Sequence, residues 1–267
     1  MPADEGGPTP ARVAGLVLAA GAGRRYGMPK ALVPYDGSLL VERACRLVAE
    51  VCGPVFVVLG AAADDVRERA DLGAATVVVN PDWDTGMGSS LRTGLTAIAA
   101  FGTTPGGLRQ NHQPGGLRQN RQPGGLRQNR QPGGLRQNHQ PGGSPANRHF
   151  GGLDTPASGG LPASRQNAAG RGSEGADAVL VHLVDLPGMT VAALRRVAGY
   201  AAPDVLAVGS YAGVRGHPVL IGRIHWAGVA AHASGDQGAR GYLAAHEVTE
   251  IDCSDVADPA DLDYPPA

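Results

Sequence analysis

The chain has 267 residues, 42% of them apolar and only 4% aromatic, with a formal net charge of −1 at pH 7. That length supports one sizeable domain or two small ones, and near-neutrality excludes a global electrostatic drive toward nucleic acid or a membrane surface. No apolar run approaches the roughly 18 residues that cross a bilayer, so neither a nucleic-acid nor a membrane partner is expected.

The chain opens with MPADEGGPTPAR, acidic and proline-rich, the opposite of a secretory leader. Residues 1–11 are expected to be disordered. The first element is a β-branched run, Val13–Leu18, followed by "LVLAAGAGRRYGMPKAL" from Leu16 to Leu32. Gly21 and Gly23 let the backbone approach a ligand closely, and successive amides there can form an anion-binding nest. Arg24, Arg25 and Lys30 add up to three positive charges, so phosphate is the expected guest. Lys30 is the only lysine against 22 arginines, and a compact ammonium is not equivalent to an arginine fork at a phosphate. The turn is neither a Walker loop nor GxGxxG, since Arg25 and Tyr26 stand where a pyrophosphate would need open backbone.

A helix is expected over Ser38–Val51, with Leu40, Ala44, Leu47, Val48 and Val51 on one face. A strand at Val55–Leu59, a helix at Ala62–Ala70 and a strand at Thr76–Val79 follow. Next comes "NPDWDTGMGSSLRTGL", Asn80 to Leu95. Asn-Pro signals a turn, and a helix runs from Ser89 to Phe101. Ser89 and Ser90 either cap that helix or, with Gly86, hydrogen-bond a nucleotide base or ribose. The cysteines, Cys45, Cys52 and Cys253, have no metal-ligand spacing, which fits reduced thiols in a cytoplasmic protein.

Residues 105–140 are four copies of a nonapeptide, PGGLRQNHQ or PGGLRQNRQ. Each unit offers one leucine and no acidic ligand, and a third of it is proline and glycine. Stacked turns of this kind bury too little to offset ordering. Residues 102–175 are therefore expected to be a disordered low-complexity insert. It holds nine arginines against Asp154 and Glu174, so it carries +7 and leaves −8 on the rest of the chain. A long surface-loop insertion raises the closure entropy only slowly.

Beyond the insert, strands are expected at Val179–Val184 and Val205–Val208, with a helix at Thr190–Tyr200 between them. Near-continuous apolar strands alternating with helices indicate an α/β fold with a parallel sheet covered on both faces. Ligands then bind beyond the carboxyl ends of the strands. Asp185-Leu186-Pro187 closes one strand, and Asp185 suits a Mg²⁺ ligand there, the alternative being a helix cap. "RGHPVLIGR" (Arg215 to Arg223) and "GDQGARGYL" (Gly235 to Leu243) follow, and Asp236 supplies a second acid on a loop. His182 is expected to be a satisfied core histidine, and His217, in a glycine-proline loop, to be an ordinary loop residue, the alternative being contact with substrate. His225, His232 and His246 lack metal spacing.

LAAGAGRRYGMPK resembles the LAAGxGxRxGxxK signature of the MobA-like nucleotidyltransferases. NPDWDTGMGSSL, VDLPGMT, GHPVLIGR and GDQGAR fall in that family's order. The combination is most similar to molybdenum cofactor cytidylyltransferases. The resemblance implies a Rossmann-like three-layer domain with a mostly parallel sheet, formed by residues 12–101 and 176–262. It implies that Leu18, Ala19, Ala20, Gly21 and Gly23 wrap the nucleotide, with Arg25 and Lys30 on its triphosphate. Gly86 and Ser90 would lie by the base or ribose, Asp185 would be the principal Mg²⁺ ligand and Asp236 the second. Arg24 falls at a variable position.

An Ala19-Ala20-Gly21 turn goes with CTP in that family, whereas Ala-Gly-Gly goes with GTP. The implied reaction is attack of an acceptor phosphate, molybdopterin's in the first instance, on the α-phosphorus of CTP, with Arg25, Lys30 and Asp185 as the catalytic groups. Guanylyl transfer, transfer to another small phosphate, or a binding role that delivers cofactor to a molybdoenzyme are the other implied activities. Two positions depart from the family pattern. Asp255 to Leu262 reads DVADPADL, with Ala257 at a usually acidic position, and Leu186 replaces the glutamine of DQP.

Overall fold

Strand β1 (Val13–Ala19) is buried along nearly its whole length, because its glycine, leucines and valines have no polar face to turn outward. A computed structural model describes residues 11–101 and 175–264. The repeat insert and the extreme N-terminus, both expected to be disordered, lie outside the described residues. β1 pairs in parallel with β4 (Val55–Leu59) on one side and β6 (Ala178–Leu183) on the other, and β4 pairs in parallel with β5 (Thr76–Val79). A two-residue hairpin, β2 (Pro34–Tyr35) and β3 (Ser38–Leu39), precedes the first helix.

The seven-stranded sheet has the order β5-β4-β1-β6-β8-β7-β9. β8 (Val214–Gly222) runs antiparallel between β6 and β7 (Leu206–Tyr211), and β9 (Thr249–Asp252) adds in parallel beside β7. The sheet is mostly parallel, with one reversed strand. Sequence reading placed the five strands β1, β4, β5, β6 and β7. It took the GHPVLIGR stretch as loop, whereas that stretch is β8; its His-Pro and its glycines at both ends masked an apolar run at Val219–Ile221.

Two apolar layers cover the sheet. On one face lie α1 (Leu40–Ala49), α2 (Ala63–Arg69) and α4 (Val191–Ala198), over Val17, Val57 and Leu180. On the other lie α3 (Met87–Phe101) and α5 (Trp226–His232), over Leu16, Phe56 and Val179, with α6 (Arg240–Ala244) completing that layer. Leu16 is fully buried, and truncating such a leucine to alanine costs about 2–5 kcal/mol. Helix α1 buries the stripe Leu40, Val41, Ala44, Cys45 and Val48. It begins at Leu40 rather than Ser38 because Glu42 reaches back to accept a 2.9 Å hydrogen bond from the Leu39 amide. Thr190 caps α4, accepting from the Ala193 amide and donating to the Val256 carbonyl at 2.7 Å.

That last bond ties down the C-terminal segment, residues 253–264. Its amides at Asp258 and Leu262 donate to the carbonyls of Gly188 and Asp185, at 3.2 and 2.9 Å. A Cβ on Gly188 would lie 2.7 Å from that of Asp258, so this close approach requires glycine. The segment thus buttresses the Asp185 loop through its backbone. Ala257, at the usually acidic position, is half-buried against the core.

Candidate active site

The carboxyl ends of β1 and β6 open onto a cavity of about 340 Å³. From the first turn, Leu18, Ala20, Gly21, Gly23, Arg25 and Lys30 line it; from the later loops come Gly86, Ser90, Asp185 and Asp236. One expected residue is displaced. Ala19 does not line the cavity, because strand alternation turns its side chain into the apolar layer behind the sheet, where it is 6% exposed. Arg24, set aside as variable, does line it.

Lys30 sits in a short 3₁₀ turn (Lys30–Leu32) whose next two residues, Ala31 and Leu32, are buried and anchor it. Its Nζ donates to Asp185 Oδ2 at 2.8 Å and to Asp263 Oδ1 at 2.7 Å. Burial opposes the ammonium charge, but the hydrogen bonds to the two carboxylates outweigh it and lift the Lys30 pKa above its ordinary value. Arg25, 72% exposed, donates to the other oxygen of Asp263 at 3.1 Å. The hydrogen bond from Lys30 holds the Asp263 carboxyl below the usual carboxylate range. Asp263 lies one residue beyond the expected end of the domain and was missed. The signal was an acid just after the buttressing segment, but nothing local says that its side chain turns back to the cavity.

The opposite rim is built by close approach of two loops. Gly86 has φ +107°, and a Cβ there would lie 2.4 Å from the carbonyl carbon of Gly235 and 2.8 Å from Asp236 Oδ1. No L side chain fits, and the Gly86 turn thereby delivers Asp236 to the cavity. Helix α3 starts at Met87, so Ser89 and Ser90 lie inside its first turn rather than capping it. Asn80, buried at the end of β5, donates to both hydroxyls at 2.9 and 3.0 Å. Ser89 in turn donates to the carbonyls of Asp82 and Gly86. Ser90 alone of the two lines the cavity. Asn80 is thus a second residue that sequence reading missed, hidden as an ordinary turn asparagine.

No cluster of three or more histidine, cysteine or acidic side chains able to hold a metal exists among the described residues. Four carboxylates line one cavity with the phosphate-suited cations, Asp185 and Asp236 together with Asp84 and Asp263. That fits Mg²⁺, which binds through one or two carboxylates together with substrate phosphates. His217 lies in β8 rather than in a loop and is partly buried. His182 is buried as expected but not satisfied, since its Nδ1 has no hydrogen-bond partner. All three cysteines are free and buried, and among the described residues no helix is long and apolar enough to cross a membrane.

A mostly parallel sheet with a glycine turn, cations and facing carboxylates at its strand ends is the build of a nucleotidyltransferase. Residues 15–108 and 145–250 match the model of the MobA-like NTP transferase domain, and the chain belongs to that family. The match breaks over 109–144, within the repeat. The chain is similar to nicotine blue oxidoreductase of Paenarthrobacter nicotinovorans, 30% identical over 94% of this chain and 92% of that protein. Shorter similarities join it to two cofactor enzymes. A probable molybdenum cofactor guanylyltransferase of Bacillus cytotoxicus is 40% identical over 21% of this chain and 27% of that protein. The molybdenum cofactor cytidylyltransferase of Escherichia coli is 24% identical over 31% and 44%. The crystal structure of Rv0371c from Mycobacterium tuberculosis shares the fold, with a TM-score of 0.61 at 22% identity over 96% of this chain and 94% of that one.

Proposed function

We propose that this protein transfers CMP from CTP to a phosphate-bearing small acceptor of the molybdopterin class, releasing pyrophosphate. The carrying observation is Lys30, the sole lysine, held at the glycine turn between two carboxylates on a cavity that Asp236 faces. In this reading residues 12–101 and 176–262 are the transferase domain, and 102–175 is an insert outside it. The Leu18–Gly23 turn wraps the nucleotide, Arg25 and Lys30 receive the triphosphate, and Gly86 and Ser90 adjoin the base or ribose. CTP is preferred to GTP on the Ala19-Ala20-Gly21 turn.

The chemistry is the approach of two anions, so catalysis is charge neutralisation and alignment. An acceptor phosphate oxygen bonds to the α-phosphorus of CTP as the bond from that phosphorus to the pyrophosphate oxygen breaks, and the leaving group departs in line. Lys30 and Arg25 stabilise the negative charge gathering on pyrophosphate. Asp185 and Asp236 are the groups that would hold Mg²⁺, which when bound offsets charge on the reacting phosphates. No side-chain nucleophile takes part. In the structure Asp263 occupies the anion position on Lys30 and Arg25, and the triphosphate takes its place.

A second reading rests on the oxidoreductase relative, similar over nearly the whole chain. Here the same cavity would serve an oxidation–reduction reaction on a nitrogen heterocycle, although its first turn lacks the open backbone of a dinucleotide fingerprint. One experiment separates the readings. The purified protein is given CTP, GTP, ATP or UTP with Mg²⁺ and molybdopterin, and pyrophosphate is measured. Release with CTP in excess of the others supports cytidylyl transfer. Release with GTP moves the reading to guanylyl transfer, and no release from any nucleotide overturns transfer and leaves the oxidoreductase reading.

A further inference from the structure

Asp185 and Asp236 reach the nucleotide cavity on separate loops, one after β6 and one after α5. Asp236 also borders a smaller adjoining chamber of about 100 Å³. Two carboxylates act as one ligand set only while their spacing holds to within about 0.5 Å, and loops keep such tolerances less well than helices or strands. Each loop therefore needs a fastening.

The Asp185 loop is fastened from α1. Arg43, half-buried on that helix, donates to the Pro187 carbonyl from Nε at 3.2 Å and from Nη2 at 2.9 Å. It donates more weakly to the Met189 carbonyl, at 3.5 Å. The Leu186 carbonyl accepts from the Met189 amide at 3.2 Å, and the C-terminal segment covers those of Asp185 and Gly188. All five carbonyls from Asp185 to Met189 are thereby engaged, two of them by one guanidinium. That guanidinium lies over the Tyr35 ring, 5.8 Å from its centre, where the ring face favours a cation.

The Asp236 loop is fastened from α3, in the opposite apolar layer. Arg92 donates to the Ala233 carbonyl at 2.6 Å, just upstream of Asp236. The two backbones meet beside it: a Cβ on Gly88 would lie 2.5 Å from the Ser234 nitrogen, as one on Gly86 would meet Gly235. Ala233 itself is buried, which ties this end of the loop to the core. Neither arginine has an ion-pair partner among the described residues. A guanidinium turned on backbone carbonyls instead of a carboxylate fixes a length of chain and neutralises no charge.

We propose, on the reading of Asp185 and Asp236 as the Mg²⁺ ligands, that Arg43 and Arg92 are positioning residues that set the spacing between them. One strut comes from each face of the sheet. Each arginine acts through its own aspartate, because the two bond to different loops from different layers. Losing Arg43 therefore matters only while Asp185 can hold the metal, and losing Arg92 only while Asp236 can.

The test is a double-mutant cycle on manganese affinity, measured with the full chain and CTP from the electron paramagnetic resonance signal of the unbound ion. Manganese shares magnesium's preference for oxygen ligands. Asp185→Asn and Asp236→Asn each keep one carbonyl oxygen, so weakened binding stays measurable. Arg43→Met and Arg92→Met should each lower manganese affinity about five- to tenfold. On top of Asp185→Asn, Arg43→Met should cost less than about twofold more, whereas on top of Asp236→Asn it should cost its full amount. Arg92→Met should show the mirror pattern. A mutation that merely loosens the fold adds the same loss in every background. Arg92 is exposed, so its half of the cycle decides the matter even if Arg43→Met does not fold. Equal losses in all backgrounds, or none in the single arginine variants, would overturn the proposal. A wild type that binds no manganese, or asparagine variants that bind it equally well, would sink the metal reading and the struts with it.

Discussion

The two adjoining chambers are made differently. The larger is walled by loops at strand ends and carries Arg25, Lys30, Asp185, Asp236 and Asp263 around it. The smaller is walled by one face of β6 and β8, by helices α3 and α6 and by the loop from Asp236 to Ala239, with mostly apolar residues and His217, Asp236, Gln237 and Arg240 among them. Phosphate recognition needs charges whose positions loops can set, whereas a slot of fixed width needs rigid walls, which a sheet face supplies. One chamber is therefore tuned by changing loops and the other largely by disturbing the core.

Removing a charge from the larger chamber should produce the largest effect. Lys30→Ala and Asp185→Ala should each lower turnover at least about a hundredfold, the scale of losing one preorganised charge-stabilising group, while the fold is kept. Pyrophosphate release with CTP is the measurement. Near-normal release by folded Asp185→Ala would sink its assignment to the metal. Lys30→Arg should not restore full rate, since a guanidinium cannot fit as a point charge between Asp185 and Asp263, both within 2.8 Å of the ammonium.

Gly86→Ala tests the rim rather than the charges. The new Cβ meets the Gly235 backbone, and φ +107° strains any L residue, a penalty of about 1–3 kcal/mol. Nucleotide affinity should fall at least about fivefold, since Asp236 is displaced, and the unfolding midpoint in urea should drop. An unchanged CTP affinity would show that the Gly86–Gly235 approach does not position the site.

The same contrast governs what the sequence revealed. The charged chamber was legible, because Gly21, Lys30, Gly86 and Asp185 sit in loops where glycine and isolated charges stand out against apolar strands. The smaller chamber was not. Val181, Val219 and Leu243 look like any core residue, and whether a valine lines a slot or fills a core depends on what lies across from it. Strand β8 was hidden by His217-Pro218, and with it the position of His217. Asp263 was invisible for another reason: its role comes from hydrogen bonds of the Asp258 and Leu262 amides, which aim the segment at the cavity and leave no mark in composition. Motifs likewise pointed to transfer or to cofactor handling, whereas similarity over nearly the whole chain joined it to an oxidoreductase.

Strand β6 carries the contrast between wall and core on adjacent residues. Val181 and Leu183 face the smaller chamber, while His182 is fully buried with its Nδ1 unpartnered. Burial, with lesser contributions from His217 and Arg43, pushes the His182 pKa down to about 3 from an ordinary 6.5. Below pH 6.5 the unfolded chain therefore takes up a proton that the folded chain refuses. Stability from this group is fully present above pH 6.5 and falls as pH drops toward 3, by up to about 1.4 kcal/mol per unit. Urea unfolding at pH 7.5 and 5.5 should show a drop in the wild type that His182→Leu reduces. An identical drop in both would place the acid sensitivity elsewhere.

The smallest effect should come from Asp263, and its sign decides what the tail does. In the structure its carboxylate neutralises Lys30 and Arg25, the two cations read as triphosphate ligands. A nucleotide must displace it, so the ion pairs oppose binding by whatever they are worth, and partly exposed pairs are worth about 0.2–1 kcal/mol each. Asp263→Asn keeps the shape and removes the charge. Affinity for CTP with Mg²⁺ should then rise about three- to fivefold at low ionic strength, the gain shrinking as salt screens the pair, with kcat within about twofold of wild type. If kcat instead fell tenfold or more at saturating CTP, Asp263 would act in the reaction rather than stand in for the triphosphate. The reaction would then need Asp263 beside Asp185 and Asp236, and a tail that the family's motifs do not reach would belong to its catalytic centre.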